Sequence, residues 1–510
     1  MPADAPDVPF RSATERRTRQ VAACFIAATT AIFVFAAVAG ATNGLVVPLL
    51  SAVAMGVVVG YLQWRRPTVA VDVSGCSRGL LTVSLVTAVL AIVLVSRLAV
   101  FMIDPAQTGY STLPSSDWEI RHSCLTAYFV AGNVVRGTPN IYDSALYAAP
   151  DDDPAKPRKP QMMGIFRVDQ YEYPPTFLLA PRAVSLVAPG FLRLRSTWFG
   201  LSGLVLLAGL LAAARAMAPA AGTRALLLAP VVLISLGTLS TLQKGNVQLV
   251  VIALAVLAMA AIERRQRAAG GAMLAFVTVA KLYPGLLVVY LLVRRDWRAL
   301  AWTAVFGVFF VALTVADMGW QPFVAFREHF SGLLSGEAFP AFRSPAAVAI
   351  NFSIPGVLFK LNLFGVSNLG FGAARVVGTL YMLVAVAATV FLALRAPRAG
   401  TGPLLWLTVL LLATLRSPFL PWAYATFPGL WLLTLCVAAG VPRAWTLPKF
   451  LVAAFLLGAM LSVDFPLDPR MKVLVSTVPQ LLMLWLAVIG IRLGRPGVPG
   501  PAGMEPAPAF

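Results

Sequence analysis

The sequence predicts an all-α polytopic membrane protein with about 12–14 transmembrane helices. Hydrophobic residues make up 59% of its 510 residues and charged residues only 12%, which is more apolar surface than a soluble core needs. The apolar residues form long runs that carry almost no charge, as helical spans do. These runs lack the alternation of a transmembrane β-barrel, so helices are the predicted spanning elements.

The formal net charge of +19 is interpreted as membrane topology and not as nucleic-acid binding. The arginines cluster at the ends of apolar segments, which is the positive-inside pattern of membrane proteins. Attraction to anionic lipid headgroups adds to it. We therefore expect membrane lipids as partners and no nucleic acid.

The four cysteines predict neither a disulfide framework nor a thiolate metal site, because they show no paired spacing. They are Cys24, Cys76, Cys124 and Cys436. The first apolar segment continues quickly into a second, so it is interpreted as an uncleaved span and not as a signal peptide. No cofactor and no metal ion is predicted.

The N-terminal part predicts a cytoplasmic tail over residues 1–19, then three spans and a large outer loop over 104–172. The spans lie at about 20–40, 45–63 and 79–103. Basic residues before the third span return the chain to the cytoplasm, so the loop should lie outside. Its stretch 151–160 contains three adjacent aspartates. A solvated loop is favoured there over a Ca²⁺ site, because no ordered ligand loop is recognisable.

The outer loop predicts an amphipathic surface helix that begins at Asp117 and ends near Gly137. Ser116 with Glu119 three residues on has the capping-box pattern. Asp117 would lie at the positive end of the helix dipole, which favours its ionised form. We therefore interpret Asp117 as the candidate catalytic base, with Asp104 as its competitor.

If every apolar segment in the middle of the chain crossed the membrane, the basic clusters would not all fall on the cytoplasmic side. A descending span over 173–195 and an ascending one over 197–217 would be followed by segments at 225–240 and 247–262. An arginine cluster would then end outside, against the charge rule. We therefore predict that 225–240 dips in and returns, so that the polar break at 243–246 lines an outer cavity.

A second polar break predicts a hairpin of two short helices between the basic clusters at 264–267 and 294–298. Each arm would be roughly 18 Å long, less than the ~30 Å hydrocarbon core. Lys281 and Tyr283 would lie near the apex, where an ionisable residue is a functional hypothesis by default. Snorkelling to headgroups is the alternative for Lys281.

The C-terminal part predicts a span at 299–316, a second outer loop over 317–371 and five more spans. The apolar patches of this loop are short, so interfacial or re-entrant helices are expected. The remaining spans lie at about 372–395, 402–416, 418–438, 447–464 and 472–492. Residues 20–492 thus form one transmembrane domain, and the tail over 493–510 should be cytoplasmic and disordered.

The unusual polar residues face the outer side in this topology, which suits an enzyme acting on a lipid-borne substrate. The candidate substrate-binding residues are Arg121, Tyr173, Lys244, Asn246, Gln248, Lys281, Tyr283, His329 and Arg416. Capping of helix ends is an equally good interpretation of the two amides.

Six short motifs follow one another between Asp117 and the last outer turn. They are Asp117 with Gly137 and Tyr142-Asp143, Tyr173-Pro174-Pro175, Gly245-Asn246-Val247-Gln248, Lys281 with Pro284, Asn351 with Ser353, and Ser417-Pro418. Their order and spacing resemble bacterial glycosyltransferase family 87 (the DUF2029 family), of the GT-C structural class, over roughly residues 90–430. The family's Gly-Gln-x-Asn has its amides exchanged here, and Trp422 and Tyr424 stand where the family often has a histidine.

The resemblance implies a GT-C-like fold and inverting transfer of a sugar from a polyprenyl-phosphate donor to a glycan or glycolipid acceptor. Mannose and arabinofuranose are the sugars it implies, at the outer face of a bacterial plasma membrane with both termini cytoplasmic. Asp117 would take the proton of the acceptor hydroxyl. Lys281, Arg416 or Lys244 would stabilise the departing lipid phosphate without a metal.

Two other functions are the alternatives to this interpretation. A lipid-linked oligosaccharide polymerase or ligase would rely on Arg327, His329 and Arg343 in the second outer loop. A transporter would need polar groups near the midplane that open to both sides, whereas the polar residues here crowd one side.

Overall fold

The computed structural model describes residues 12–150, 159–367, 369–395, 400–442, 444–460 and 467–493. The aspartates at 151–153, most of the N-terminal tail and almost all of the C-terminal tail lie outside these ranges. The helices of the first half are α1 (Ala13–Ala41), α2 (Val46–Arg65), α3 (Arg78–Ile103), α4 (Asp117–Arg121), α5 (Leu125–Val134), α6 (Leu179–Val187), α7 (Phe191–Ala216), α8 (Pro219–Ile234), α9 (Leu236–Lys244) and α10 (Gln248–Glu263).

The second half continues with helices of very different lengths. They are α11 (Arg267–Lys281), α12 (Gly285–Val293), α13 (Trp297–Met318), α14 (Gln321–Ser335), α15 (Pro345–Ala349), α16 (Val357–Asn362), α17 (Phe371–Leu394), α18 (Gly402–Thr414), α19 (Trp422–Ala439), α20 (Leu447–Gly458) and α21 (Pro469–Leu493). Three short strands, β1 (His122–Ser123), β2 (Met162–Met163) and β3 (Phe166–Val168), form one small sheet in the order β1-β3-β2.

The predicted all-α polytopic membrane fold is confirmed. Eight helices in the described ranges are long and apolar enough to cross a membrane, or nine if the bent pair α8–α9 counts as one span. The eight are α1, α2, α3, α7, α13, α17, α19 and α21. The predicted 12–14 spans exceed this number unless shorter apolar helices, such as α10, α18 and α20, cross as well.

The predicted single helix from Asp117 to Gly137 is wrong, because β1 interrupts it. His122 and Ser123 pair in parallel with β3, and the next residue, Cys124, donates its backbone N–H to the Lys244 carbonyl over 2.9 Å. These contacts with distant segments hold the chain extended between α4 and α5. Leu125, at the start of α5, is fully buried in the core, so α5 is not a helix lying on a membrane surface.

The predicted descending span over 173–195 is also absent. Residues Pro175–Leu178 form a 3-10 turn, and α6 adds only nine residues before α7 begins at Phe191. The Arg195 guanidinium, near the start of α7, donates to the Phe101 and Met102 carbonyls at the end of α3. The first turn of α7 therefore lies at the end of the bundle where α3 ends, which we call the loop face because residues 104–150 and 159–174 lie there.

This placement removes the reason for a re-entrant segment at 225–240. Near the start of α8, the Thr223 hydroxyl accepts from the Asp72 backbone N–H, in the loop that precedes α3. At the end of α9, Lys244 pairs with Glu119 in the loop that follows α3. The pair α8–α9, bent by 61° at Ser235, thus runs the length of α3 as one broken span, and the predicted return is wrong.

The predicted break at Lys281 is present and lies on the loop face. Lys281, the last residue of α11, contacts Tyr173, and Asp317 near the end of α13 pairs with Arg182 of α6 at 2.7 Å. Because α11 and α13 both end at this face, α12 returns the chain between them. It packs on α17 and α18, so the two arms of the predicted hairpin diverge.

The second outer loop contains only short helices, α14 to α16, as its broken apolar pattern predicts. Its Asn351 accepts the Leu420 backbone N–H at 2.9 Å, and the Ser353 hydroxyl donates to the Pro418 carbonyl at 2.8 Å. The Asn351–Ser353 motif and the Ser417-Pro418 motif therefore bind each other, which fixes the second loop against the turn between α18 and α19.

Candidate functional site

Tyr173 is the point at which three of the sequence motifs meet. The Lys281 ammonium lies 4.9 Å from the centre of the Tyr173 ring, and the Asn246 amide donates to its hydroxyl at 3.4 Å. The Tyr142 hydroxyl donates to the Tyr173 carbonyl at 2.8 Å, and the Tyr128 ring stands edge-on against Tyr173. We call Tyr173, Asn246 and Lys281 the Tyr173 cluster.

Lys281 is the basic residue of this cluster. Its side chain is half-buried, and it forms no ion pair with any of the described residues. Burial and the adjacent Asp169 raise the pKa of the nearby Glu172 carboxyl well above its usual value, and the charge of Lys281 opposes that shift. An unpaired ammonium in a poorly hydrated site attracts an anionic ligand.

Of the two amides of the third motif, Asn246 both caps a helix and contacts Tyr173. The Asn246 side-chain oxygen accepts the backbone N–H of Gln248 at 2.9 Å, which begins α10. Its amide nitrogen reaches Cys124 Sγ at 3.3 Å as well as Tyr173. The Gln248 amide lies 3.5 Å from the Thr414 hydroxyl of α18. The two interpretations from the sequence, helix capping and a place in the site, thus both apply to Asn246.

Lys244, by contrast, already has a partner. Its Nζ lies 2.7 Å from the Glu119 carboxylate, and both side chains are less than 10% exposed. The half of the capping box that Glu119 should supply is therefore missing, since its carboxylate binds the lysine, although the Ser116 hydroxyl does accept the Glu119 N–H. Gly245 follows with φ +66°, and Leu125 lies so close that no Cβ would fit. The Lys244–Glu119 ion pair and the close contact of Gly245 with Leu125 therefore hold the first outer loop against the helix bundle.

Asp117, the predicted base, lies on the surface of the loop face. Its carboxylate pairs with Arg121 at 2.6 Å and with Arg167 of β3 at 3.0 Å, and its side chain is 59% exposed. Its competitor Asp104 accepts the backbone N–H of Ala106 and stabilises its own turn. Of the two acids, only Asp117 is tied to the sheet that borders the Tyr173 cluster.

A group of residues that the sequence analysis missed lies between Asp117 and Tyr173. The His122 ring stacks on Trp118 at 4.6 Å, its Nδ1 lies 3.4 Å from the Asp169 carboxylate, and its Nε2 lies 3.8 Å from Cys124 Sγ. Burial lowers the pKa of His122, but the charge of Asp169 and the contacts with Asp169 and Cys124 together outweigh burial and raise the pKa to about 10. Tyr424, one of the two residues that replace the family's histidine, places its hydroxyl 3.4 Å from the same sulfur.

The only signal for this group in the sequence is the His-x-Cys spacing of His122 and Cys124. Asp169 follows β3, and the parallel pairing of β1 with β3 brings it to them across more than forty residues. No local pattern predicts that pairing.

Two of the remaining predicted residues, His329 and Tyr283, lie beside the Tyr173 cluster. His329 of α14 stacks on Tyr142 at 4.8 Å, and burial lowers its pKa. Tyr283 lies in the break after Lys281, with a buried hydroxyl that makes no hydrogen bond to the described residues. Arg416 is half-buried against Gly378 of α17. The second loop and the α18–α19 turn therefore border the site.

Comparison with known proteins identifies one matching family. The model of glycosyltransferase family 87 matches residues 171–421, a range that includes the whole Tyr173 cluster, while Asp117 lies before it. No curated protein and no solved structure matches the chain. The motifs that meet at Tyr173 are thus the ones that the family model covers. Residues 171–421 belong to glycosyltransferase family 87, and the chain is a membrane glycosyltransferase.

Proposed function

We propose that the protein transfers a sugar, mannose or arabinofuranose, from a polyprenyl-phosphate donor to a glycan or glycolipid acceptor, with inversion, at the outer face of a bacterial plasma membrane. The observation that carries this proposal is the unpaired Lys281 ammonium beside Tyr173, at the end of an apolar helix. A lipid-borne phosphate would reach such a cation from the bilayer, with its isoprenoid chain remaining in the apolar phase.

The donor half of the reaction uses the Tyr173 cluster. As the bond between the anomeric carbon and the phosphate oxygen breaks, negative charge grows on the leaving polyprenyl phosphate. Lys281 faces that charge and stabilises it. Asn246, which shares a hydrogen bond with Tyr173, is placed to contact sugar hydroxyls, and Arg416 offers a second cation at the border of the site.

The acceptor half uses Asp117. In an inverting displacement the acceptor hydroxyl attacks the anomeric carbon from the side opposite the phosphate, and its proton passes to a carboxylate. The Asp117 carboxylate pairs with two arginines, and its exposure leaves it open to a glycan arriving from water. Surface ion pairs contribute little energy, so an acceptor can displace one of them.

A lipid-linked oligosaccharide ligase is the second candidate, because His329 of the second loop reaches the site. It stacks on Tyr142, whose hydroxyl binds the Tyr173 backbone. A ligase would transfer a whole glycan from a polyprenyl pyrophosphate, and so would ignore a donor that carries one sugar on a monophosphate. The donor experiment below separates the two functions.

Membranes containing the protein are incubated with radiolabelled polyprenyl-phosphate mannose or arabinofuranose, and the label is followed into lipid and polymer fractions. We expect transfer from one donor, with a rate about 10²–10⁴-fold lower in the Asp117→Asn variant. The matched control is Asp104→Asn, another exposed acid of the same loop, which should keep its activity. Turnover retained by Asp117→Asn would remove this residue as the base, and absence of transfer from any monophosphate donor would favour the ligase.

The outer location of the site has its own test. Gly109→Cys places a thiol on the loop face where a Cβ meets no atom, and Ser74→Cys places one on the exposed opposite face. Both are made with Cys76 replaced by Ser. In intact cells an impermeant maleimide should label position 109 and spare position 74, and the reverse pattern would contradict the proposed orientation.

A further inference from the structure

We propose that His122, Cys124 and Asp169 bind a zinc ion at the edge of the small sheet. One ligand atom from each residue lies within 4.8 Å of the other two. Imidazole nitrogen, thiolate sulfur and carboxylate oxygen are the ligands that Zn²⁺ uses in proteins. The inference goes beyond the proposed sugar transfer and departs from the sequence analysis, which predicted no metal because the cysteines are not paired.

The distances between these residues come within about 1 Å of those in a tetrahedral zinc site. Bonds of about 2.0–2.3 Å place tetrahedral ligand atoms roughly 3.3–3.6 Å apart. The Asp169 oxygen lies 3.4 Å from His122 Nδ1, and Cys124 Sγ lies 3.8 Å from Nε2. Since only one ring nitrogen binds a given ion, the more distant ligand has to approach by a shift on the order of 1 Å.

His122 itself gives a second reason to expect a ligand. Its Nδ1 is buried and makes no hydrogen bond to the described residues, although the Asp169 oxygen lies 3.4 Å away. A nitrogen and an oxygen that are this close without the geometry of a hydrogen bond are arranged as two ligands of one metal ion are.

The surroundings hold the three ligands in place. The indole of Trp118 stacks on the His122 ring, with an angle of 17° between the planes. The backbone N–H of Asp169 donates to the Thr126 hydroxyl at 3.0 Å. Around Cys124, the Asn246 amide nitrogen at 3.3 Å is a donor suited to a thiolate. Support of this kind orients metal ligands and raises affinity.

The ligands come from two adjacent strands. His122 belongs to β1, Cys124 follows it directly, and Asp169 follows β3, the parallel neighbour of β1. A zinc ion would fasten the loop that contains Asp117 to β3. Three protein ligands leave a fourth position for water or substrate, as catalytic zinc sites do, and Cys124 shares Asn246 with the Tyr173 cluster.

The test uses the full chain purified in detergent. Its zinc content is measured by mass spectrometry after gel filtration, and zinc is then removed with a chelator and replaced with Co²⁺. We expect one metal ion per chain and a cobalt–thiolate charge-transfer band. His122→Gln, Cys124→Ser and Asp169→Asn should each bind Zn²⁺ at least about 10-fold more weakly, since loss of even a supporting partner has that effect.

Cys76→Ser is the matched control, because it removes a cysteine from the opposite face and should leave zinc content and the cobalt band unchanged. Gel filtration and circular dichroism establish that each variant is folded. If one ligand variant fails to fold, the cobalt spectrum of the wild-type chain still decides. Wild-type protein without a cobalt–thiolate band at saturating Co²⁺, or a band that survives Cys124→Ser, would overturn the site. None of these measurements depends on sugar transfer, so failure of the proposed function leaves them interpretable.

Discussion

Lys244 and Lys281 are each the last residue of a helix that ends on the loop face, yet only Lys244 forms an ion pair. Lys244, at the end of α9, lies 2.7 Å from the Glu119 carboxylate, and the pair is shielded from solvent. Lys281, at the end of α11, forms no ion pair in the described ranges and lies over the ring of Tyr173. The sequence motifs assign both lysines to the substrate, whereas the structure separates them.

The difference shows how a buried charge is used. A buried ion pair has no net charge. The Lys244–Glu119 pair connects the first outer loop to the end of the broken span α8–α9. An unpaired buried cation lowers stability, so it persists only where another role retains it. We therefore expect substitutions of the two lysines to act on different properties, stability for Lys244 and donor binding for Lys281.

Lys244→Met should have the largest effect and should act on stability. The substitution leaves the Glu119 carboxylate buried without its partner, which typically destabilises a protein by about 3–5 kcal/mol. Denaturation of the purified chain in mild detergent, followed by tryptophan fluorescence or scanning calorimetry, measures the change. A free energy of unfolding equal to that of wild type would mean that water reaches the pair and that the comparison with Lys281 is wrong.

Lys281→Met should leave stability unchanged or higher, because it removes a half-buried cation that forms no ion pair with the described residues. Its effect should fall on catalysis. Loss of one group that stabilises the leaving charge typically costs about 10²–10³ in rate. The kcat/KM for the polyprenyl-phosphate sugar measures this loss, and product inhibition by free polyprenyl phosphate should weaken in parallel.

Lys281→Arg provides the matched control for that prediction. It keeps the positive charge while changing its shape, so it should retain more donor use than Lys281→Met. If the methionine variant transfers sugar at the wild-type rate, Lys281 only snorkels to lipid headgroups and the donor phosphate binds elsewhere.

The sequence predicts the fold class well because long apolar runs are a local property. Prediction from the sequence fails where a contact between residues far apart in the chain determines on which face a segment lies. Arg193 and Arg195 follow the positive-inside pattern in the sequence, yet Arg193 binds Asn43 and Arg195 binds the last carbonyls of α3. Both arginines are therefore on the loop face. The incorrectly predicted span over 173–195 led in turn to the incorrect prediction of a re-entrant segment at 225–240.

The residues of the candidate site likewise fall into two groups, those that a local motif predicts and those that only distant contacts bring together. Tyr173, Asn246 and Lys281 are recognisable because each belongs to a short motif, and the structure brings them together. His122, Cys124 and Asp169 are not recognisable, since the pairing of β1 with β3 creates their proximity. Lys244 has a correct motif and a different role, because its partner Glu119 is more than a hundred residues away in the chain.

The smallest predicted effect is that of the double variant Lys244→Met/Glu119→Gln. Removing both charges leaves no buried ion, so most of the loss seen in Lys244→Met should be recovered and a residual change of about 0–1 kcal/mol should remain. Glu119→Gln alone completes the cycle and gives the coupling energy of the pair. A double variant no more stable than Lys244→Met would show that the lysine acts through the packing of its alkyl chain and not through its charge. Recovery of stability together with sugar transfer would establish that Lys244 has a structural role in its ion pair with Glu119, and that Lys281 is the lysine that binds the donor.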